Sequence, residues 1–449
     1  MRASSMLRLL SLLLTLTLSG AQPAAGDDVF RGVTGDVKPA ISPAFFGIHI
    51  HRLAGTPIGE PGVTPWPNLP FGHIRFWDAG VAWLDLNAVQ GQWDFRRMDV
   101  YVDTAERRQA DILYPLALTP AWASRRPAEP CPYGHGCAAE PADLQWWRDY
   151  VSAVARRYGN RIKAFELWNE PNFSNISRDR GRPGFYTGSV EHMVEMARIA
   201  REVLDELNPS ALLCTPGFVN GPDRLELFLA AGGRRYVQAV CYHFYAENVR
   251  FMARELKAVR SIMARQGVST LPLWNTETGV ELLRPGDPPS GLASASTEEV
   301  AARAAQLLIF GAASGLDRFY YYAWDNERSG VFNADRSGRP LWRALVGVQE
   351  WLIGTEPGSC QDLAVFGADI VACRGSRGGE SFLWVWSDGP KAVAMSLEAI
   401  LRKAGVKAGT RVKSVQALLD GEARPSPQEV AAGTLRIGRV PVRLAWVTP

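Results

Sequence analysis

From about residue 40 to residue 350, short apolar and β-branched runs alternate with longer amphipathic segments. That is the pattern of repeated βα units rather than of hairpins. The runs at 45–50, 73–77, 111–118, 163–168, 211–216, 237–243, 271–275 and 318–324 make eight candidate strands, which suggests an α/β chain built as a closed (β/α)8 TIM barrel. After the third run, Leu144, Trp147, Val151, Val154 and Tyr158 recur at steps of three and four, with Gly159 placed to end the helix. Segments 250–266 and 297–315 read the same way: Gly267 ends the first, and Thr297, Glu298 and Glu299 open the second at its positive end. Between His51 and Pro70 the chain is rich in Pro and Gly, so a long loop is expected in place of the first helix. After about Gly354 the texture changes to period-2 runs such as 382–386 and 440–447, separated by Gly, Asp and Pro. This predicts a smaller C-terminal β-sandwich, with Val385, Ala392, Val412 and Leu444 facing its core or the barrel.

At the N-terminus, Arg2 and Arg8 flank the apolar run from Leu9 to Leu18, and Ser19, Gly20 and Ala21 follow. Such a run is short for a bilayer span, which needs about 20 residues, and is expected to be a cleavable signal peptide, with an uncleaved anchor as the alternative. The expected organisation is therefore a signal peptide over 1–26, a barrel over 27–353 and a sandwich over 354–449, in a secreted or periplasmic protein with no membrane insertion after cleavage. A 449-residue chain that is 47% hydrophobic can bury two cores. Its formal net charge is only +3, with Lys and Arg scattered, so neither nucleic acid nor an acidic partner is indicated.

Export permits disulfides. Cys131 with Cys137, and Cys360 with Cys373, are local pairs beside turn residues and are expected to be bridged. Cys214 and Cys241 lie in apolar strand-like runs and read as reduced, buried thiols. No pair has the spacing or the partner histidines of a zinc site.

In such a barrel the working residues sit at the C-terminal ends of strands. The fourth run ends in Phe165-Glu166-Leu167-Trp168-Asn169-Glu170-Pro171-Asn172, and the seventh in Leu273-Trp274-Asn275-Thr276-Glu277-Thr278-Gly279. Glu170 and Glu277 thus stand at comparable heights on strands three apart, able to face each other across the mouth. Two such carboxyls are what glycoside hydrolysis requires, one protonated to donate to the leaving oxygen and one ionised to attack the anomeric carbon. Glu166 and Asp325 are competing carboxylates, and Glu166 is expected lower in the barrel, in an ion pair or a role.

At these residues the chain resembles the clan of retaining glycosidases that carries both glutamates at the ends of strands four and seven. Asn169-Glu170-Pro171 matches the clan's acid/base signature, and the longer string is most like glycoside hydrolase family 39, including its bacterial exopolysaccharide hydrolases. The resemblance implies that Glu170 is the acid/base, Glu277 the nucleophile, and a polysaccharide or oligosaccharide the substrate, with no cofactor and no metal. It implies further that Asn169 bonds the sugar 2-hydroxyl, that Arg75 keeps the nucleophile ionised, and that His243 and Tyr245 orient the nucleophile and line the subsite. For Arg75 the alternative is a core salt bridge, and for His243 a core histidine. His49 and His51, at i and i+2, are candidates for sugar hydroxyls; as a metal pair they lack an evident third ligand. Trp324 and Trp122, at strand exits, are candidate stacking platforms. Loops 55–70, 125–141 and 173–188 are expected to form either a closed pocket or the walls of a groove, which separates exo from endo action. An exo-acting β-xylosidase-like enzyme and a non-catalytic carbohydrate-binding barrel remain as alternatives.

Overall fold

The computed structural model describes residues 29–34, 39–55, 64–182, 184–283, 293–294, 296–333, 337–363, 369–389, 391–419 and 431–447. The signal peptide expected over 1–26 lies outside the described residues, as does part of the first loop. Eight parallel strands form the barrel: β1 (Phe46–Ile48), β2 (His73–Arg75), β3 (Asp111–Pro115), β4 (Ala164–Glu166), β5 (Leu212–Cys214), β6 (Val240–Tyr242), β7 (Leu273–Thr278) and β8 (Arg318–Tyr321). They are hydrogen-bonded in the order β5-β4-β3-β2-β1-β8-β7-β6. Closure between β5 and β6 comes from Thr215 N donating to Ala239 O at 3.1 Å and Gln238 N to Leu213 O at 2.8 Å. The strands are shorter than their apolar runs, because residues beyond the paired core bend away into the loops. β7 is longer at its exit, so Glu277 belongs to the strand itself.

Around the barrel run α1 (Arg96–Arg107), α2 (Leu144–Tyr158), α3 (Val190–Leu207), α4 (Asp223–Ala230), α5 (Val249–Arg265), α6 (Thr297–Ala313) and α7 (Pro340–Leu352). No helix separates β1 from β2 among the described residues, in line with the Pro/Gly-rich sequence there. Side-chain caps set the starts of α2, α3, α5 and α6: Asp143, Ser189, Asn248 and Ser296 each accept a backbone N–H of the first turn. Gly159, Gly267 and Gly315 follow α2, α5 and α6 with positive φ, where a glycine is unstrained. No helix among the described residues is long and apolar enough to cross a membrane.

Beyond α7 stand a five-stranded and a two-stranded antiparallel sheet. The five-stranded sheet has β9 (Glu356–Asp362), β10 (Ile370–Arg377), β11 (Glu380–Ser387), β13 (Ser414–Ala417) and β15 (Val442–Val447), in the order β9-β10-β11-β15-β13. The remaining two, β12 (Val393–Ser396) and β14 (Thr434–Ile437), pair with each other. One face of the large sheet shares the barrel's core through Cys360, Cys373, Phe382, Trp384 and Trp386. The other packs Val385 and Leu444 against Met395, Leu435 and the short helix α8 (Leu397–Lys403). Ala392 was expected to face a core but is exposed; β12 inserts Met395 instead. α6 lies between barrel and sheet, which explains why it has no polar face: its one buried amide, Gln306, donates to Arg439 O at 2.6 Å. Arg250 of α5 adds ion pairs to Asp362, at 2.8 Å, and Asp388.

Both expected disulfides, Cys131–Cys137 and Cys360–Cys373, are formed, and Cys214 and Cys241 are free and buried. Asn208, 1% exposed at the end of α3, donates to Gly159 O at 2.6 Å and Ile162 O at 3.1 Å, tying α3 to the end of α2. Removing its amide strands these carbonyls, so Asn208→Ala is expected to lower the unfolding free energy by about 1–3 kcal/mol. Urea denaturation checks this; an unchanged midpoint would refute the account of the α2–α3 junction.

Candidate active site

The strand register brings Arg75, Glu166, Asn169, Glu170, His243, Tyr245 and Glu277 to one end of the barrel. Arg75, 1% exposed, is at the centre. Its Nε donates to Glu166 Oε2 at 2.7 Å, its Nη2 to Glu166 Oε2 at 2.5 Å and to Asn169 Oδ1 at 2.6 Å, and its Nη1 to Glu277 Oε2 at 2.7 Å. Burial works against its charge, but Glu166 and Glu277 overcome this and hold its pKa above the ordinary value. The two readings of Arg75 are thus one arrangement: a core salt bridge to Glu166 whose remaining nitrogen is offered to Glu277. Thr276 Oγ1 donates to Glu166 Oε1 at 2.7 Å, so Glu166 is occupied below the mouth. Asp325 is structural too, accepting from His51 N at 2.8 Å and Arg52 N at 2.9 Å.

Glu277 is 5% exposed, and Tyr245 Oη donates to its Oε1 at 2.8 Å. Burial raises its pKa, while His243, Arg75 and the Tyr245 hydroxyl oppose the rise. His243 is itself held neutral by burial, its pKa lowered to about 4, so Arg75 is the counter-charge that acts at neutral pH. Glu170 is different. Among the described residues no cation bonds to it; His243 Nδ1 and Glu170 Oε1 share a hydrogen bond of 2.8 Å. Burial pushes its pKa up to about 7, against the pull of Arg75 and with the help of the Asp78 charge. An oxygen of Glu170, one of Glu277 and a nitrogen of His243 all lie within 4.8 Å of one another. The expectation that His243 and Tyr245 both orient Glu277 is corrected in part: Tyr245 does so, whereas His243 takes Glu170, because β6 passes between β5 and β7 and its exit faces both carboxyls.

The backbone is unusual where these side chains leave the strands. Asp78, Leu118, Glu170 and Asn220, beyond β2, β3, β4 and β5, all have positive φ without being glycine. At Glu170 (φ 41°) the conformation is held by its N–H, which donates to Gly217 O at 2.8 Å. Gly217 must lack a side chain, since a Cβ there would stand 2.4 Å from His243 Nε2 and 2.8 Å from Glu166 Oε1.

His49 is fully buried with Nε2 on Thr276 O at 3.1 Å, and its Nδ1 and the Nε2 of His51 have no partner, as is true of Asn169 Nδ2. Both histidine rings pack on Tyr322, at 5.2 and 5.1 Å between centroids. Tyr322 is the aromatic residue at the exit of β8, and its hydroxyl donates to Asp78 Oδ2 at 2.5 Å. Trp324, expected as the platform, is 1% exposed and packed among Phe71, Phe332 and Trp342. Two residues past Tyr322 the chain has already turned behind the mouth, with Trp324 N on His49 O. Trp122 is displaced as well. After Leu118 (φ 66°) the chain swings outward, so Trp122 donates to Asn87 O at 2.7 Å and meets Trp83 and Trp146 on the flank.

Loops 125–141 and 173–188 were expected at the mouth as pocket or groove walls, but the part played by Tyr133 and Asp78 was not. Tyr133, inside the Cys131–Cys137 loop, hydrogen-bonds Asp78 and packs on Trp77 and Phe185. Loops 125–141 and 173–188 are joined by Arg126, which donates to Thr187 Oγ1 at 2.9 Å, and by Thr187 Oγ1, which donates to Glu129 Oε1 at 2.5 Å. They form one wall. The position of Asp78, three residues past Arg75 at a strand exit, is the sequence signal that could have pointed to it. As for a metal, the Glu170–His243–Glu277 donors are close enough to hold an ion, but His243 Nδ1 and both Glu277 oxygens are already bonded, and Arg75 is adjacent.

No protein-family model matches the chain. Among solved structures it is similar to a family 39 glycoside hydrolase from Bacteroides cellulosilyticus WH2, with a TM-score of 0.63 and 18% identity over 92% of this chain and 83% of that one. It is similar also to a family 39 enzyme from Xanthomonas axonopodis pv. citri (TM-score 0.59, 14% identity, 93% and 96% covered). A third is a family 39 β-xylosidase from Caulobacter crescentus (TM-score 0.57, 16% identity, 92% and 99% covered). The fold is shared with these structures over most of the chain. A curated β-xylosidase of Geobacillus stearothermophilus is 25% identical over 173 residues, which span 32% of this chain and about a third (33%) of that relative.

Arg75→Met leaves Glu166 and Glu277 buried without a counter-charge, and is expected to cost about 3–5 kcal/mol of stability at pH 7. Without Arg75 the burial that raises the pKa of Glu277 is less opposed, so the penalty of its charge grows as pH rises and shrinks on acidification. Urea unfolding at pH 5 and pH 7 should therefore show the smaller loss at pH 5. A loss independent of pH would mean that Arg75 acts by packing, not charge.

Proposed function

We propose that the chain is a retaining O-glycoside hydrolase that cleaves a polysaccharide or oligosaccharide by double displacement, with Glu170 as acid/base and Glu277 as nucleophile. The carrying observation is the unlike pair of carboxyls, within 4.8 Å of each other, one bonded to Arg75 and the other with its pKa pushed up to about 7. In inverting enzymes the carboxyls stand about 6.5–9.5 Å apart to admit a water, whereas about 5–5.5 Å suits direct attack. Protonated Glu170 donates its proton to the glycosidic oxygen as that bond breaks, and ionised Glu277 forms a bond to the anomeric carbon from the opposite face. Glu170, now a carboxylate, takes a proton from the water that displaces Glu277. His243 occupies one oxygen of Glu170, leaving the other for the leaving group. Asn169, with Oδ1 on Arg75, has Nδ2 free to donate to the 2-hydroxyl as charge develops. Tyr322, His49 and His51 line the sugar site, with Tyr322 as its aromatic face.

For substrate length, we favour a polymer. An exo-acting β-xylosidase-like reading draws on the curated β-xylosidase and on the closed wall made by Tyr133. Product lengths from xylan and other purified polysaccharides separate the two: a ladder of oligosaccharides supports endo action, monosaccharide alone the exo reading. The apolar N-terminal run and the two disulfides support a secreted or periplasmic location.

Glu277→Ala is expected to abolish hydrolysis of aryl glycosides, by at least about 10⁴-fold in kcat, since a covalent step is lost; a variant that keeps its activity would remove Glu277 from the mechanism. For the wild-type chain, kcat/KM should fall as pH rises through about 7, where Glu170 loses its proton, with an acidic limb above the ordinary carboxylate range from Glu277. A basic limb that persists unchanged in Glu170→Gln, on a substrate whose leaving group needs no protonation, would belong to another group.

A further inference from the structure

The flank of the barrel carries a second set of aromatic and polar side chains that the reaction does not use. A groove of about 710 Å³ lies between the turn after Leu86 and the outer face of α2, within the ~300–1,000 Å³ of small-molecule sites. Three indoles line it: Trp93 of that turn, Trp122 of the loop after β3, and Trp146 in the first turn of α2. None of its lining residues belongs to the Arg75 cluster or to the wall of the mouth.

The indoles are pre-positioned. Trp122 is fixed by its bond to Asn87 O and meets Trp146 with ring centroids 5.4 Å apart. Trp93 stacks on Phe95 with planes 6° apart, and the Arg157 guanidinium, itself paired with Asp99, lies 4.9 Å over that phenyl ring. Despite this support Trp93 remains 38% exposed, and Val89 on the same turn is 54% exposed. A large apolar face kept both rigid and open to water is a binding surface rather than a packing remnant.

Polar groups complete it. Gln90, Gln145, Asp149 and Glu206 stand among the indoles. Flat aromatic faces beside amides and carboxylates match a sugar, whose ring offers an apolar C–H face and an edge of hydroxyls. The charged lining residues cancel, Arg148 and Arg156 against Asp149 and Glu206, which favours an uncharged chain over an anionic one. The groove follows α2 from Gln145 to Arg156, about 16 Å at 1.5 Å per residue, a length that suits several sugar units. α2 is the helix that follows β3 in the chain, so its N-terminal end, with Gln145 and Trp146, lies towards the end of the barrel that carries Glu170 and Glu277.

We propose that this groove is a second carbohydrate-binding site, which holds a stretch of neutral polysaccharide outside the active site and keeps the polymer at the mouth. The proposal rests on the glycosidase reading for the class of polymer only. The test is native electrophoresis through gels containing xylan, hydroxyethyl cellulose or galactomannan, with all variants in the Glu277→Ala background so that no polymer is cut. The parent should be retarded in at least one gel. Trp93→Ala and Trp146→Ala should each weaken that retardation about tenfold, the loss of roughly 1.4 kcal/mol of stacking. Gln145→Ala, at an exposed position with no packing role, should weaken it as well. With Glu277 intact, Trp93→Ala should keep wild-type kcat/KM on aryl glycosides. Equal retardation of parent and variants, or none in any of the three gels, overturns the proposal. Aryl-glycoside turnover measured in parallel tells that failure apart from a failure of the active-site reading.

Discussion

The guanidinium of Arg75 is the constraint on which the site depends. It is buried inside the barrel with two carboxylates and one amide around it, and its four short hydrogen bonds fix Glu166, Asn169 and Glu277 relative to one another. A charge placed there demands partners on β4 and β7, and those partners in turn demand the register that brings the ends of these strands to one level. Glu166 thus acts as an anchor: by occupying Arg75 from below, with Thr276 on its other oxygen, it directs the remaining nitrogen towards Glu277.

From this follows the asymmetry of the two glutamates. Glu277 is buried and Glu170 half-buried, yet only Glu277 shares Arg75, while Glu170 meets a neutral imidazole and the field of Asp78. Environments that push two neighbouring carboxyls apart in proton affinity are what the proposed division into acid and nucleophile requires. Strain at Glu170 and the bare Cα of Gly217 belong to the same design, since each lets backbone and carboxyl come closer than an ordinary residue permits.

Much of this was legible in the order of residues. The eight apolar runs disclosed the barrel because buried parallel strands need continuous apolar stretches, and Glu170 was marked by a long motif at a strand exit. Glu277 was found through strand count, and Arg75 through the family resemblance. What stayed hidden depends on where the chain goes after a strand ends. Period-2 alternation stops at the exit, so nothing local told that Tyr322 faces the mouth while Trp324 turns behind it, or that the chain past Leu118 carries Trp122 to the flank. The contacts of Tyr133 and Tyr322 with Asp78 join residues from three distant segments, and the choice of Glu170 over Glu277 by His243 is settled only by how β6 sits between its neighbours. The helix α8, inside a stretch of β texture, is short enough that its Ser396 cap was the one local cue.

The central claim is that the attacking group is a protein carboxylate and not a water. It is tested most directly by following the anomeric proton of the first product by NMR during hydrolysis of a suitable aryl glycoside. Two displacements at the anomeric carbon predict a product that appears first with the configuration of the substrate and only later mutarotates. A product that appears first with the opposite configuration would contradict the account, for it would mean that a water enters where Glu277 is held to attack.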